Sequence, residues 1–165
     1  MTVLVGEAPP RRGPLAPFEG LSGRRLRGLA GSDLDDVLMC NLFMVPMPRS
    51  GKGSAFWAAE ARARAAAWDL DGIDLLLMAG RRVARAFGVP ASVRYLEPFT
   101  VRGTAAYVVP HPSGVNRWFN AETNRARFRR FFQALDRVAV DQDPLPPGEF
   151  LDRLRHAAGA AGRSY

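Results

Sequence analysis

The sequence predicts an α/β fold, a three-layer α/β/α sandwich around a central, mostly parallel sheet of four to five strands. Two observations carry that prediction. Short apolar runs rich in Val, Leu and Met alternate with longer stretches of helical pattern, as in strand–helix–strand units. The chain of 165 residues suits one domain with a sizeable core. No internal repeat interrupts it.

Taken in order, Thr2–Val5 reads as a short buried strand running into the turn Gly6-Glu7-Ala8-Pro9-Pro10. A Pro/Gly-rich loop follows. Ser22 is a good N-cap for a helix over Arg24–Ala30, and Gly31 a good stop. Asp35–Val45 is mostly apolar and reads as a central strand with Asn41 as its one polar side chain inside. After a loop at 46–53, Ser54 is placed to cap an Ala-rich helix from Ala55 to Trp68, where Glu60 and Arg64 form an i,i+4 pair. Ile73–Met78 is a third buried strand, and a short helix at Arg81–Phe87 ends on Gly88 and Pro90. Val93–Phe99 and Ala105–Val109 flank a turn at Arg102-Gly103. Asn120 is expected to cap a helix reaching Val138 whose apolar face is Phe128, Phe131, Phe132 and Leu135. Residues 1–140 make the domain; 141–165 read as a Pro-rich linker, a last short helix at Phe150–Ala158 and a frayed tail.

Composition bounds the partners. Net charge is +7, and Lys52 is the single lysine, so nearly all positive charge is arginine. Arginine grips phosphate bidentately and stacks on bases, which suits nucleic acid; an arginine-rich proteome explains the same excess equally well. Cys40 is the single cysteine, which removes internal disulfides and multi-cysteine metal sites. Few residues precede Gly6, too few for a signal peptide, and no apolar run approaches the ~18 residues of a membrane span. A soluble, cytoplasmic monomer without a cofactor is the expectation.

The chemistry concentrates in Val108–Arg117. Pro110 and Pro112 fix the backbone on both sides of His111 where a strand stops. Gly114 permits a sharp turn, and Ser113, Asn116 and Arg117 all suit phosphate. A stiff histidine at a strand's carboxyl end is where open α/β sheets place their sites. His156 lies far downstream and reads as a surface residue.

Five segments in order over residues 3–135 resemble the uracil-DNA glycosylase superfamily, nearest its bacterial and archaeal iron–sulfur branch. They are Gly6-Glu7-Ala8-Pro9-Pro10, the run Pro17–Leu26, Cys40-Asn41 with the following Pro46 and Pro48, Leu77–Ala84, and His111-Pro112-Ser113. One cysteine cannot hold that branch's four-cysteine cluster, and Pro10 stands where the family has Gly or a bulkier screen of the base.

The resemblance implies a DNA glycosylase that flips a base out of single- or double-stranded DNA and hydrolyses its N-glycosidic bond. His111 would face the base carbonyl, and Glu7 would position water beneath the sugar, with Glu19 next in line. Phe18 would stack on the base and Asn41 read its edge, beside Ala8 and Pro10. Ser22, Gly23, Ser113, Gly114, Asn116, Arg117 and Trp118 would meet DNA and its phosphates. Trp118 and Phe119 equally suit a wedge or a hydrophobic staple for the next helix. Arg125, Arg127, Arg129 and Arg130 read as a solvated helix face. No motif position holds a lysine, so a Schiff-base lyase step has no nucleophile. Two other readings keep the fold: an N-glycosidase on nucleotides or hypermodified bases, and a non-catalytic nucleic-acid-binding module.

Overall fold

The computed structural model describes residues 1–9, 16–31, 34–46 and 54–139. Pro10, Arg11, Arg12, Pro48, Lys52, His156 and the expected linker and helix beyond 140 lie outside them. The strands are β1 (Thr2–Gly6), β2 (Val37–Asn41), β3 (Leu75–Ala79), β4 (Pro98–Val101) and β5 (Thr104–Val109). They form one five-stranded sheet in the order β2-β1-β3-β5-β4. β1, β2, β3 and β5 run parallel, and β4 pairs antiparallel with β5. The fold is therefore the expected mostly parallel α/β/α sandwich.

Strand alternation explains the two helical layers. Leu4, Leu75, Leu77, Tyr107 and Val109 point to one face, covered by α1 (Leu21–Ala30) and α4 (Glu122–Ala139). Val3, Val5, Leu76, Met78, Ala106 and Val108 point to the other, covered by α2 (Ser54–Ala67) and α3 (Arg81–Ala86). Phe128, Phe131, Phe132 and Leu135 are all buried, as the periodicity of α4 predicts.

Four boundaries differ from expectation. The helix after the first loop begins a turn early: Gly20 is the N-cap of α1, without a side-chain cap bond, and Ser22 sits inside the first turn. β2 is an edge strand shorter than Asp35–Val45; Leu42 and Phe43 turn inward to the core while Met44 and Val45 stay exposed. The strand expected over Val93–Phe99 is instead β4, Pro98–Val101, and just before it Leu96 takes a left-handed φ of +59°. Asn116, not Asn120, is the cap, starting a 3₁₀ turn at Arg117–Asn120 before α4 begins. The turn at Arg102-Gly103 and the Glu60–Arg64 pair are as expected. Arg102 and Gly103 take φ of +49° and +86°, as a two-residue hairpin between β4 and β5 requires. Arg64 Nε donates to Glu60 Oε1 at 2.9 Å.

Arginine also serves as mortar. Arg102 donates to the carbonyls of Ala65, Ala66 and Trp68 at 2.9–3.1 Å and so closes the carboxyl end of α2. Arg125 does the same for the carbonyls of Phe119 and Asn120, at 2.8 and 3.2 Å. Among the described residues, no helix is long and apolar enough to cross a membrane.

Candidate active site

Parallel pairing brings the ends of β1, β2, β3 and β5 to one edge of the sheet. Glu7 follows β1, Asn41 closes β2, Gly80 follows β3, and His111 lies just beyond β5. The chain leaves β1 for β2 on one side and returns to β3 on the other, so this edge contains a topological switch point, where such sheets bind ligands. A cavity of about 230 Å³ opens there, lined by Gly6, Glu7, Ala8, Pro9, Phe18, Gly20, Ser22, Gly23, Asn41 and His111. Drug-sized ligands occupy roughly 300–1,000 Å³. The smaller space fits a single planar heterocycle.

Two glycines shape the cavity. Register pairs Gly6 with Asn41. A Cβ on Gly6 would stand 2.4 Å from Asn41 Oδ1 and 3.0 Å from Phe18 Cζ, so any side chain there would push out the amide and the ring. A Cβ on Gly23 would fall 1.4 Å from the Phe18 carbonyl oxygen. Phe18 itself holds a left-handed φ of +58°, a conformation costly for a residue with a Cβ. The Arg27 guanidinium donates to its carbonyl at 3.3 Å and helps hold it.

His111 is fixed by its own loop. The Ser113 N–H donates to Nδ1 at 3.1 Å. A backbone N–H can only donate, so Nδ1 must be the unprotonated nitrogen and Nε2 carries the hydrogen of the neutral ring. Burial lowers the pKa of His111 and reinforces that state. Asn116 Nδ2 donates to the His111 carbonyl at 2.8 Å, and Asn116 Oδ1 accepts from the Trp118 N–H at 3.1 Å.

Glu7 is anchored through its main chain. The Leu42 and Phe43 N–H groups donate to the Gly6 and Glu7 carbonyls, each at 3.0 Å, prolonging the β1–β2 ladder past the strands. Its side chain is half-buried, and one oxygen, Oε1, is held by Arg82 Nε at 3.0 Å. Burial raises the pKa of Glu7 more than the Arg82 charge lowers it. Asn41 presents a half-buried amide that has no hydrogen-bond partner among the described residues.

Most of the sequence-derived candidates converge. Glu7, Ala8, Phe18, Ser22, Gly23, Asn41 and His111 line one cavity. Ser113 lies behind His111, while Gly114 and Arg117 are exposed on the loop beyond it. Two candidates take different roles. The Asn116 amide is engaged at both ends by main chain and so ties the histidine loop to the following 3₁₀ turn. Trp118 packs edge-on against Tyr95, Phe119 and Phe128, contacts that fit the staple. Glu19 is exposed and absent from the cavity lining. Arg82 escaped the sequence reading, since only the fold carries α3 to the end of β1. Val115, at the tip of the histidine loop, is 88% exposed and was also missed. An apolar β-branched residue directly after Ser113-Gly114 was the available signal.

The fold and this edge define a doubly wound α/β protein with a base-sized pocket, a fixed imidazole donor and a half-buried carboxylate. The sequence model of the Uracil DNA glycosylase superfamily matches residues 2–136, and the chain belongs to that superfamily. Membership supports a glycosylase-type function on DNA. No curated protein matches the chain. Among the described residues, no group of three or more His, Cys, Asp or Glu side chains is placed to hold a metal ion.

Proposed function

We propose that the protein is a monofunctional DNA glycosylase that excises uracil, or another deaminated or modified base, after flipping it out of DNA. The observation that carries this reading is His111: a neutral imidazole whose Nδ1 is taken by the Ser113 N–H, in one small cavity with the Glu7 carboxylate and the Asn41 amide, which has no partner among the described residues. Breaking an N-glycosidic bond puts negative charge on the leaving base and positive charge on the sugar. His111 Nε2–H donates to the base carbonyl oxygen as its negative charge grows. The Glu7 carboxylate stabilises the cationic sugar and orients the attacking water. Asn41 offers both a donor and an acceptor to a pyrimidine edge, and the Phe18 ring packs on its face.

Recognition of the strand falls to the rim. Gly20 leaves the first N–H groups of α1 uncapped beside Ser22, a favourable place for a phosphate. Val115, on the histidine loop, and Leu21, at the start of α1, are 88% and 78% exposed. Val115 fills the gap left by the flipped base, as apolar wedges do.

The test uses end-labelled oligonucleotides carrying uracil, hypoxanthine, xanthine or 5-hydroxymethyluracil, with strand cleavage by alkali after incubation. Wild type is run beside Glu7→Gln and His111→Ala. Cleavage of one base, lost in both variants, is the expected result. Folded wild type that cleaves none of them refutes the reading and turns attention to free nucleotides or to binding without turnover.

A further inference from the structure

A second cavity, about 350 Å³, lies between α2 and α3 and is lined by Glu7, Trp57, Ala58, Ala61, Arg62, Arg82, Arg85 and Ala86. It sits on the α2/α3 side of the sheet, and it shares Glu7 with the base-sized cavity. Three guanidiniums here face one carboxylate. Of them, Arg82 alone is committed, by a single Nε contact to Glu7, and its side chain is 64% exposed. Arg62 and Arg85 are exposed and have no hydrogen-bond or ion-pair partner among the described residues.

We propose that this cleft binds phosphodiesters of the substrate strand next to the flipped nucleotide, and that Arg82 leaves Glu7 for a phosphate when the strand is seated. The proposal rests on the glycosylase reading and deepens it. A strand whose nucleotide enters the first cavity passes Glu7, and the adjoining space is this arginine cleft. Guanidinium bonds to phosphate are charge-assisted and bidentate, whereas the Arg82–Glu7 pair is a single contact screened by solvent. The exchange therefore runs toward phosphate. Its consequence is local to Glu7. Among the described residues, the charged or titratable groups that line the two cavities with that carboxylate are Arg82, Arg62, Arg85 and His111. Once Arg82 is drawn away, the full negative charge of Glu7 is available to the cationic sugar. Arg82 is a positioning residue that keeps the carboxylate quiet until the strand arrives.

Binding is measured by fluorescence anisotropy, using a single-stranded oligonucleotide with a tetrahydrofuran abasic site, over a range of NaCl concentrations. Losing two phosphate contacts reduces the slope of log affinity against log salt by roughly 1.4. Arg62→Ala combined with Arg85→Ala is expected to show that reduction, and Arg127→Ala combined with Arg130→Ala on the exposed face of α4 is not. The exchange is read from pH profiles on the oligonucleotide the enzyme cleaves. The kcat/KM profile reports the free enzyme and the kcat profile the bound complex. Arg82→Gln is expected to move the acid limb of kcat/KM upward and to leave that of kcat in place. Equal movement of both limbs overturns the exchange. Wild-type binding and cleavage with an unchanged salt slope in the Arg62/Arg85 double variant overturns the cleft while leaving the glycosylase reading intact. Wild type that neither binds nor cleaves overturns both. Deoxyuridine monophosphate that binds wild type, and binds the Arg62/Arg85 double variant more weakly, while the abasic oligonucleotide binds neither protein, assigns the cleft to a free nucleotide and overturns the strand assignment.

Discussion

Replacing His111 by Ala tests the mechanism where the structure is most specific. The substitution removes the Nε2–H donor and leaves the main chain of the loop in place. The Asn116 amide still bonds the residue-111 carbonyl, because that bond uses backbone. The stability cost comes from the Ser113 N–H, which loses its acceptor. One half-buried hydrogen bond is worth about 1 kcal/mol, or roughly 2–4 °C in Tm for a domain of this size. The catalytic cost is larger. Deleting one donor aimed at a developing oxyanion costs about 10²–10³ in rate, some 2.7–4 kcal/mol. Water entering the vacated space replaces only part of that. Single-turnover cleavage of a uracil oligonucleotide should therefore slow by about two orders of magnitude, with substrate affinity nearly unchanged. Thermal unfolding of the same sample controls for folding. A folded variant that loses less than about tenfold in rate refutes the role, leaving His111 a scaffold residue.

Three other outcomes follow from the same geometry. Asn41→Asp removes the donor half of the amide, and it should cost about 1–3 kcal/mol of discrimination, read as a changed ratio of kcat/KM between uracil and the next-best base. Gly23→Ala drives a methyl into the Phe18 carbonyl; a lowered Tm with loss of cleavage is expected, and an unchanged Tm would contradict the packing. The pH dependence has a defined sign. The folded state keeps His111 neutral below its ordinary 6.5, so there the unfolded chain binds more protons and stability rises with pH through that window. Glu7, raised above its ordinary 4.5, acts oppositely in the window just above 4.5, since there the folded state holds the extra proton. Tm measured against pH should lose the first component in His111→Ala and the second in Glu7→Gln.

What the sequence disclosed follows from which forces are local. Strand runs such as Leu75–Ala79 and Thr104–Val109 are legible because burial on both faces demands unbroken apolar residues. The Arg102-Gly103 hairpin is legible because its two positive φ values favour glycine. Ser22 misled because a good capping side chain looks the same one turn inside a helix as at its start. Here the close approach of Gly23 to the Phe18 carbonyl decides where α1 begins. β2 was drawn too long because apolar residues in a strand and in an inward turn, like Leu42 and Phe43, give one hydropathy signal. In the site, Glu7 and His111 were visible as polar residues at the ends of apolar runs, and Asn41 as the one polar residue inside such a run. Arg82 was invisible because its meeting with Glu7 depends on β1 and β3 lying side by side, a fact of topology and not of spacing.

The arginines that tie carbonyls together give the composition a different meaning. Arg102 spans the end of α2 and Arg125 the end of the 3₁₀ turn, each reaching more than one main-chain oxygen with a single planar head. A lysine would keep the charge but offers a flexible point cation in place of that fork. Exchanging arginine for lysine throughout would thus conserve every electrostatic total and still loosen the molecule. For this chain the choice between the two basic residues is an architectural decision as much as an electrical one.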